Sequence, residues 1–457
     1  MNYTSLKLKK YILILGDIAV LYLSLYLTLI VRYAELPTAN LWQEHFWPFT
    51  VIFFVWLIIF YLNNLYDLTL AINNVKFYGL SANALFFNFL IGSAFFYLIP
   101  QIGITPKRNL FIDIIITAII FILWRLVYNV ILKTYLPKSN VAIIGLNDQV
   151  REIIKHFHNY PHLGFKIACL LYDKEVYEQG LYNIKICKNV DNIKAEIKNN
   201  NISIVVLAED LQKSQELRSQ LFSAIHLGVN FTSLNHFYEK IMGKIPVQAI
   251  NQMWFLENLN EGSKFWFDYF KRLYDVILAF AILIITIPFW PIIGLIITLE
   301  SRGSMFYSQK RVGINNKIIH LTKFRTMIET GNTRRPTVPN DSRVTRLGGY
   351  LRRMRIDEIP QVINIIKGDM SFIGPRPERP ELVVNLQKEI PFYNERTLVL
   401  PGVTGWDQVC GEYHSPSTED TIKKLQYDLF YIKNRSVFLD LLIILKTLRT
   451  VVLGKGR

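Results

Sequence analysis

Two carboxylates stand side by side at Asp357 and Glu358, just before Pro360, in the stretch Asp357-Glu-Ile-Pro-Gln361. Proline favours the first position of a helix, where its missing N–H costs nothing. The residues that follow predict a helix over Gln361–Lys367 that stops at Gly368. A helix N-terminus offers free N–H groups and a partial positive charge, which stabilise carboxylates and phosphates alike. Neighbouring side chains on such a turn point about 100° apart. One carboxylate can then attack phosphorus while the other holds a divalent cation against a diphosphate. Mg²⁺ suits that role, since it binds through a few carboxylates plus substrate phosphates, with Mn²⁺ as the substitute. Alone, an Asp in this place reads as an ordinary helix cap. The basic residues around the pair favour chemistry.

Phosphoryl transfer needs cations around the moving oxygens. They come in a series of polar motifs: Gln309-Lys-Arg-Val-Gly313, Lys323-Phe-Arg-Thr-Met327, Asp341-Ser-Arg343, Thr345-Arg-Leu-Gly348 leading into Leu351-Arg-Arg353, Gly368-Asp-Met-Ser371, Gly374-Pro-Arg-Pro377, Pro401-Gly-Val-Thr-Gly405 and Lys424-Leu425 with Tyr427-Asp428 and Tyr431. Arg376 is the first candidate for a phosphate contact, because Pro375 and Pro377 stiffen the loop that presents its planar fork. Lys323, Arg325 and Arg352 come next, then Lys271 and Arg272. For any one of these a solvated surface charge is the default. Six around a carboxylate pair are not.

The elements that must position these residues include membrane segments. Hydrophobic residues make up 51% of the 457 and charged residues only 19%. Four apolar runs, Tyr11–Val31, Phe46–Leu62, Leu80–Ile99 and Leu110–Leu132, are each long enough to cross a ~30 Å hydrocarbon layer. Lys7, Lys9 and Lys10 precede the first run, and Lys133 and Lys138 follow the fourth. The positive-inside rule puts both ends in the cytoplasm, although Lys107 and Arg108 then fall outside. The basic start, without a small-residue cleavage site, reads as an uncleaved anchor. Asp17 and Arg125 lie at similar depth in runs one and four and are expected to pair, as a structural pin or as part of a transport path.

From about Ser139 strands and helices alternate: Val141–Gly145, a helical stretch through His156, Ile167–Tyr172, Asp191–Asn199 and Ile202–Leu207. This predicts a Rossmann-like α/β domain. The glycines of a dinucleotide fingerprint are missing after Gly145, so a spacer or assembly role competes with a degenerate ligand pocket. A fifth apolar run, Leu273–Leu299, is broken by Pro288 and Pro291 and has basic flanks, including Lys264 and Arg302. A helix that enters, kinks and returns to the same face fits these facts; a kinked full span is the alternative. The fold class is therefore membrane α-helical plus α/β. A four-helix transmembrane bundle fills 1–135, the α/β domain 139–255, and a mixed α/β domain with a re-entrant helix at about 273–299 fills 262–457. Val437–Leu453 reads as an interfacial helix or as a core helix.

Basic residues exceed acidic ones, 51 against 36. With membrane segments present and no nucleic-acid signature, an anionic membrane surface and phosphorylated substrates are the expected partners, and nucleic acid is not. Cys169, Cys187 and Cys410 have no metal-like spacing and read as ordinary thiols of a reducing compartment.

The motif series, in this order, resembles the bacterial sugar transferase family of polyprenyl-phosphate phosphoglycosyl transferases. The front helices and α/β domain resemble its large initiating members for exopolysaccharide, O-antigen or capsule synthesis. The likeness covers essentially the whole chain and is most specific from Lys271 onward. It implies that Asp357 attacks the β-phosphate of a UDP-sugar, forming a covalent phosphosugar and releasing UMP, and that undecaprenyl phosphate then takes the sugar phosphate. It implies Glu358 as principal metal ligand beside Asp357, and Lys271 and Arg272 as contacts for the lipid phosphate. A monotopic catalytic domain on the cytoplasmic face of the bacterial inner membrane, a homodimer and downstream glycosyltransferases as partners also follow from it. Trp406-Asp-Gln408 and Phe289-Trp290 depart from the family pattern, which leaves local substrate contacts and the kink open. One rival, a membrane-anchored NAD-dependent epimerase or dehydratase, needs GxGxxG and a Tyr-x-x-x-Lys pair, and that spacing occurs only at Tyr3–Lys7. A non-enzymatic scaffold or transporter component is the other.

Overall fold

The computed structural model describes residues 4–68, 75–98, 106–134, 139–171, 184–187, 193–208, 215–259, 264–301, 303–328, 341–410 and 417–452. Lys138, Tyr172, Asp191, Arg302 and Leu453, which entered the readings above, lie outside them. The chain forms two compact units, Met1–Phe237 and Tyr238–Arg457.

The first unit opens with four helices, α1 (Thr4–Tyr33), α2 (Ala39–Leu62), α3 (Val75–Leu98) and α4 (Pro106–Thr134). Each contains a stretch long and apolar enough to cross a membrane. Phe49, Ile52, Phe53 and Trp56 of α2 bury against Leu21 and Leu25 of α1 and Leu110 of α4. The expected pair forms: Arg125 Nη2 donates to Asp17 Oδ2 at 2.7 Å, with both side chains almost fully buried.

The α/β part of this unit comprises β1 (Ser139–Ile144), α5 (Asp148–Asn159), β2 (Phe165–Leu171), β3 (Ile186–Cys187), α6 (Ile193–Asn199), β4 (Ile202–Leu207), α7 (Gln215–Ser223) and β5 (Asn230–Ser233). The sheet is all-parallel, in the order β3-β2-β1-β4-β5. Central strands of a parallel sheet are covered on both faces, hence the continuous apolar run Val141-Ala-Ile-Ile144 in β1. Asn147 caps α5 by accepting from Val150 N–H, and Val150, Ile153, Ile154 and Phe157 form its buried face. Strands β3 and β5 were not among the expected elements. β3 pairs over two residues, and β5, Asn-Phe-Thr-Ser, has little apolar signal.

Helix α8 (Leu234–Met242) ends the first unit and opens the second, where α9 (Gln252–Asn258) follows. The proline-broken run forms α10 (Phe265–Thr286), a 3₁₀ turn over Ile287–Phe289, and α11 (Trp290–Ser301). The break falls where Pro288 and Pro291 remove N–H donors. The first helix begins at Phe265, well ahead of Leu273, because its lead-in is amphipathic: Lys271, Asp275 and Ala279 are buried on one face while Phe270, Leu273 and Ile277 stay exposed. Its 22 residues rise about 33 Å. The apolar run from Leu273 therefore covers only part of this helix.

The rest of the unit is mixed. β6 (Phe306–Val312) and β7 (Ile318–Phe324) form an antiparallel hairpin, followed by α12 (Arg346–Arg353), α13 (Val362–Lys367), β8 (Ser371–Ile373), α14 (Pro380–Glu389), β9 (Gly402–Thr404), α15 (Trp406–Cys410), α16 (Thr418–Asn434) and α17 (Val437–Val452). Ala279 of α10, Ile319 and Leu321 of β7 and Val362 and Ile365 of α13 share one core. In α17, Leu439, Asp440 and Ile443 are buried while Val437, Phe438, Leu441 and Leu448 are exposed.

Candidate active site

Arg355, in a left-handed backbone conformation at φ 53°, starts a 3₁₀ turn over Ile356–Gln361 that runs directly into α13. Gly368 ends that helix at φ 89°. Pro360 lies inside the 3₁₀ turn, so the carboxylates belong to the helical segment and do not precede it. With three residues per turn, neighbouring side chains are separated by about 120°. Asn364 fixes the segment to β7: its Nδ2 donates to His320 O at 2.7 Å and its Oδ1 accepts from Thr322 N at 3.2 Å. Both carboxylates are buried, Asp357 at 9% and Glu358 at 8% exposure.

The cations meet on one carboxylate. Glu358 Oε1 accepts from Lys323 Nζ at 2.6 Å and from Arg376 Nη2 at 2.8 Å, while Arg355 Nη1 stands 3.7 Å from Oε2. Burial pushes the Glu358 carboxyl up, but the charges of Arg376 and Lys323 outweigh it and hold the group well below the usual carboxylate range. Asp357 moves the other way: burial raises it, the negative charge of Glu358 raises it further, and Lys323, Arg352 and Arg376 offset this only in part. Two adjacent acids are thus driven apart. One is a permanent anion inside a cationic clamp; the other is a more basic carboxylate beside it. Such a division fits a pair with different roles.

Arg376 is presented by a backbone crossing. β8 and β9 pair in parallel, Ser371 with Gly402 and Ile373 with Thr404. Beyond them Gly374 N donates to Thr404 O at 3.0 Å and Gly402 N to Pro375 O at 3.0 Å. A Cβ on Gly374 would sit 2.3 Å from Leu400 O, and one on Gly402 2.1 Å from Gly374 N. The glycines of Gly374-Pro-Arg-Pro377 and Pro401-Gly-Val-Thr-Gly405 are therefore two halves of one contact. Arg311 Nη1 donates to Pro377 O at 3.1 Å and Arg396 Nη2 to Arg376 O at 2.8 Å.

The other candidate cations divide. Arg352 Nε donates to Thr326 Oγ1 at 2.9 Å, and its charge acts on Asp357. Arg325 turns to Ser304 Oγ at 3.3 Å and packs on Gly303. Lys271 Nζ pairs with Asp440 Oδ2 at 2.5 Å in a buried contact that Tyr274 and Tyr431 also join through their hydroxyls. Arg272 Nη1 and Nη2 donate to the carbonyls of Ile365 and Ile366 at 2.5 and 2.8 Å, satisfying the end of α13. The structure thus brings Lys323 and Arg376 onto Glu358 and gives Lys271 and Arg272 framework contacts. Arg355, Asn364, Arg311 and Arg396 were not singled out from the sequence as site residues. Arg311 stood only within the Gln309-Lys-Arg-Val-Gly313 motif, and the partners of the others are set by the fold.

Among the described residues no three His, Cys, Asp or Glu side chains group as a metal site. The carboxylate pair nonetheless fits a magnesium ion. Glu358 Oε2 is buried and accepts no hydrogen bond, which leaves one oxygen for a cation whose remaining positions phosphates and water would fill.

The bacterial sugar transferase family profile matches residues 266–454, which contain every site residue named above. Over 192 residues the chain is 41% identical to a UDP-N-acetylgalactosamine-undecaprenyl-phosphate N-acetylgalactosaminephosphotransferase of Aeromonas hydrophila, covering 42% of this chain and 45% of that one. Over 331 residues it is 31% identical to a UDP-glucose:undecaprenyl-phosphate glucose-1-phosphate transferase of Xanthomonas campestris pv. campestris, covering 68% and 66%. An uncharacterized sugar transferase of Bacillus subtilis, EpsL, is 35% identical over 190 residues and is covered over 89% of its length. The matched region therefore spans about half of the Aeromonas protein but nearly all of the Bacillus one. With the profile covering the segment that holds the carboxylate clamp, and a relative 35% identical matched over 89% of its length, the chain belongs to the bacterial sugar transferase family.

Proposed function

We propose that the chain transfers a sugar 1-phosphate from a UDP-sugar to undecaprenyl phosphate, giving undecaprenyl-diphospho-sugar and UMP. The observation that carries this reading is the division of the buried pair: among the described residues the ion pairs of the site fall on Glu358 and none on Asp357. Asp357 is the nucleophile. Its oxygen bonds to the β-phosphorus as the bond from that phosphorus to the bridging oxygen breaks, and UMP leaves with the electron pair. A phosphate oxygen of the lipid then bonds to the same phosphorus, and the aspartyl–phosphorus bond breaks to return the carboxylate. Two displacements replace one harder one. Lys323 and Arg376, held over Glu358, place positive charge where negative charge builds on the phosphoryl oxygens. Glu358 Oε2 and Asp357 are the oxygens that would hold Mg²⁺, or Mn²⁺, whose charge offsets that of the diphosphate.

The relatives named for undecaprenyl-phosphate transfer support the lipid acceptor and the nucleotide-sugar donor. The apolar, largely exposed run from Phe265 to Ser301 with its proline break supports a re-entrant helix beside the catalytic residues. The sheet order β3-β2-β1-β4-β5 supports a Rossmann-like domain, and the contacts of α1, α2 and α4 support a four-helix bundle. An inner-membrane enzyme with its catalytic part on the cytoplasmic face, acting as a homodimer that feeds downstream glycosyltransferases in exopolysaccharide, O-antigen or capsule synthesis, completes the proposal.

The test uses full-length protein in detergent with undecaprenyl phosphate, Mg²⁺ and a panel of UDP-sugars, scoring UMP. One sugar should support release, and Asp357→Asn should abolish it. No UMP from any sugar, or full activity in Asp357→Asn, defeats the reading.

A further inference from the structure

The Pro-Arg-Pro loop poses an anchoring problem. Proline has no N–H, so Pro375 and Pro377 leave the loop a single backbone donor, and it must be held mainly through its carbonyls. All three carbonyls are engaged: Pro375 O by Gly402 N at 3.0 Å, Arg376 O by Arg396 Nη2 at 2.8 Å and Pro377 O by Arg311 Nη1 at 3.1 Å. The middle contact fixes the residue whose side chain meets Glu358.

Arg396 is built for that single task. Only 7% exposed, it donates from Nη1 to Tyr393 Oη at 2.8 Å and from Nη2 to Asp428 Oδ2 at 2.8 Å, besides the carbonyl of Arg376. Asp428 is 1% exposed and supplies the counter-charge that a buried guanidinium requires. A planar fork can serve a hydroxyl, a carboxylate and a carbonyl together; a lysine ammonium can match the charge but not the spread of donors. A shallow cleft lined by Pro375, Arg376, Pro377, Tyr393, Arg396 and Pro401 adjoins the loop.

We propose that Arg396 is a positioning residue: through the Arg376 carbonyl it sets the place of the Arg376 guanidinium over Glu358, and it touches neither substrate nor carboxylate pair. The inference rests on the reading of Arg376 as a phosphate-facing cation. Misplacing a catalytic group by about 1 Å can cost about 10²-fold, so Arg396→Gln should lower UMP release on that scale. Arg396→Lys keeps a charge opposite Asp428 and should fold, yet recover only part of the rate.

Two measurements decide. In a double-mutant cycle, Arg396→Gln should lower the rate of the wild-type protein but change the rate of Arg376→Ala by no more than about twofold, because a residue that acts only through Arg376 is silent once that side chain is gone. Losses that multiply across both backgrounds overturn the proposal. Hydrogen exchange of the 372–380 peptide reads the loop without any turnover. It should quicken in Arg396→Gln and Arg396→Lys and stay unchanged in Arg376→Ala. Unchanged exchange in both Arg396 variants overturns the proposal even if the enzyme releases UMP. A wild-type protein that releases none defeats the proposed function while the exchange measurement still judges the anchor.

Discussion

Asp17→Asn isolates the buried pair of the first unit. Asp17 and Arg125 are 2.7 Å apart with side chains 0% and 2% exposed, on helices α1 and α4. The asparagine keeps the shape and removes the charge. Arg125 then retains the carbonyl of Leu65 at 2.9 Å and the ring of Phe121, 4.7 Å from its guanidinium carbon, and loses the Asp17 carboxylate. Breaking one side of a buried pair costs about 3–5 kcal/mol, because the remaining charge is left in a low-dielectric site. Arg125→Gln should cost about as much for the same reason. The double variant leaves no charge behind and should lie within about 1–2 kcal/mol of either single one, a coupling of about 2–4 kcal/mol. The assay is unfolding of the purified protein in mixed micelles, with UMP release measured in parallel. Activity should survive in every variant that stays folded, since the pair belongs to a different unit from the carboxylate clamp. Additive losses would refute the pair as the source of stability. A selective loss of transfer at unchanged stability would refute its assignment as a pin.

The nucleophile gives a pH prediction. Asp357 must be ionised to attack, and burial and then the charge of Glu358 raise its pKa. The covalent step therefore rises with pH through that raised value. Glu358→Gln removes one cause, so the acid limb of single-turnover UMP release should move to lower pH even as the rate falls; a limb that stays or moves up contradicts the argument. Gly402→Ala puts a Cβ 2.1 Å from Gly374 N, against backbone that cannot turn away. It should cost at least about 1–3 kcal/mol of stability and most of the activity. A Gly402→Ala protein as stable and active as wild type would show that the crossing is looser than described.

Much of this was legible because local chemistry decided it. Val141–Ile144 can be little other than a buried strand, and Pro288 with Pro291 must interrupt a helix. An acid and a base at matching depths in two spans had good reason to meet, and Asp17 and Arg125 do. What was not legible depended on partners far along the chain. Lys271 and Arg272 carried visible charge, but the sequence does not show that Asp440, 169 residues away, takes up the first, nor that the end of α13 takes up the second. The start of α10 was missed because its buried Lys271, with Arg272 beside it, resembles the polar flank of a span when read one residue at a time. Asp440 was the available signal: an acid inside an apolar helical pattern asks for a buried cation.

The meeting of Gly374 with Gly402 has a consequence for substrate choice. Two peptide chains that touch without side chains between them cannot slide past one another, so Gly374 and Gly402 lock the crossing itself, while the carbonyls of Arg376 and Pro377 beyond it are held by Arg396 and Arg311. If the donor sits beside Arg376 as proposed, the crossing at Gly374 and Gly402 is a part of the wall that does not open for a bulkier sugar. On the proposed reading, discrimination among donors falls to side chains mounted around that crossing, and changing it calls for their substitution with the backbone left alone.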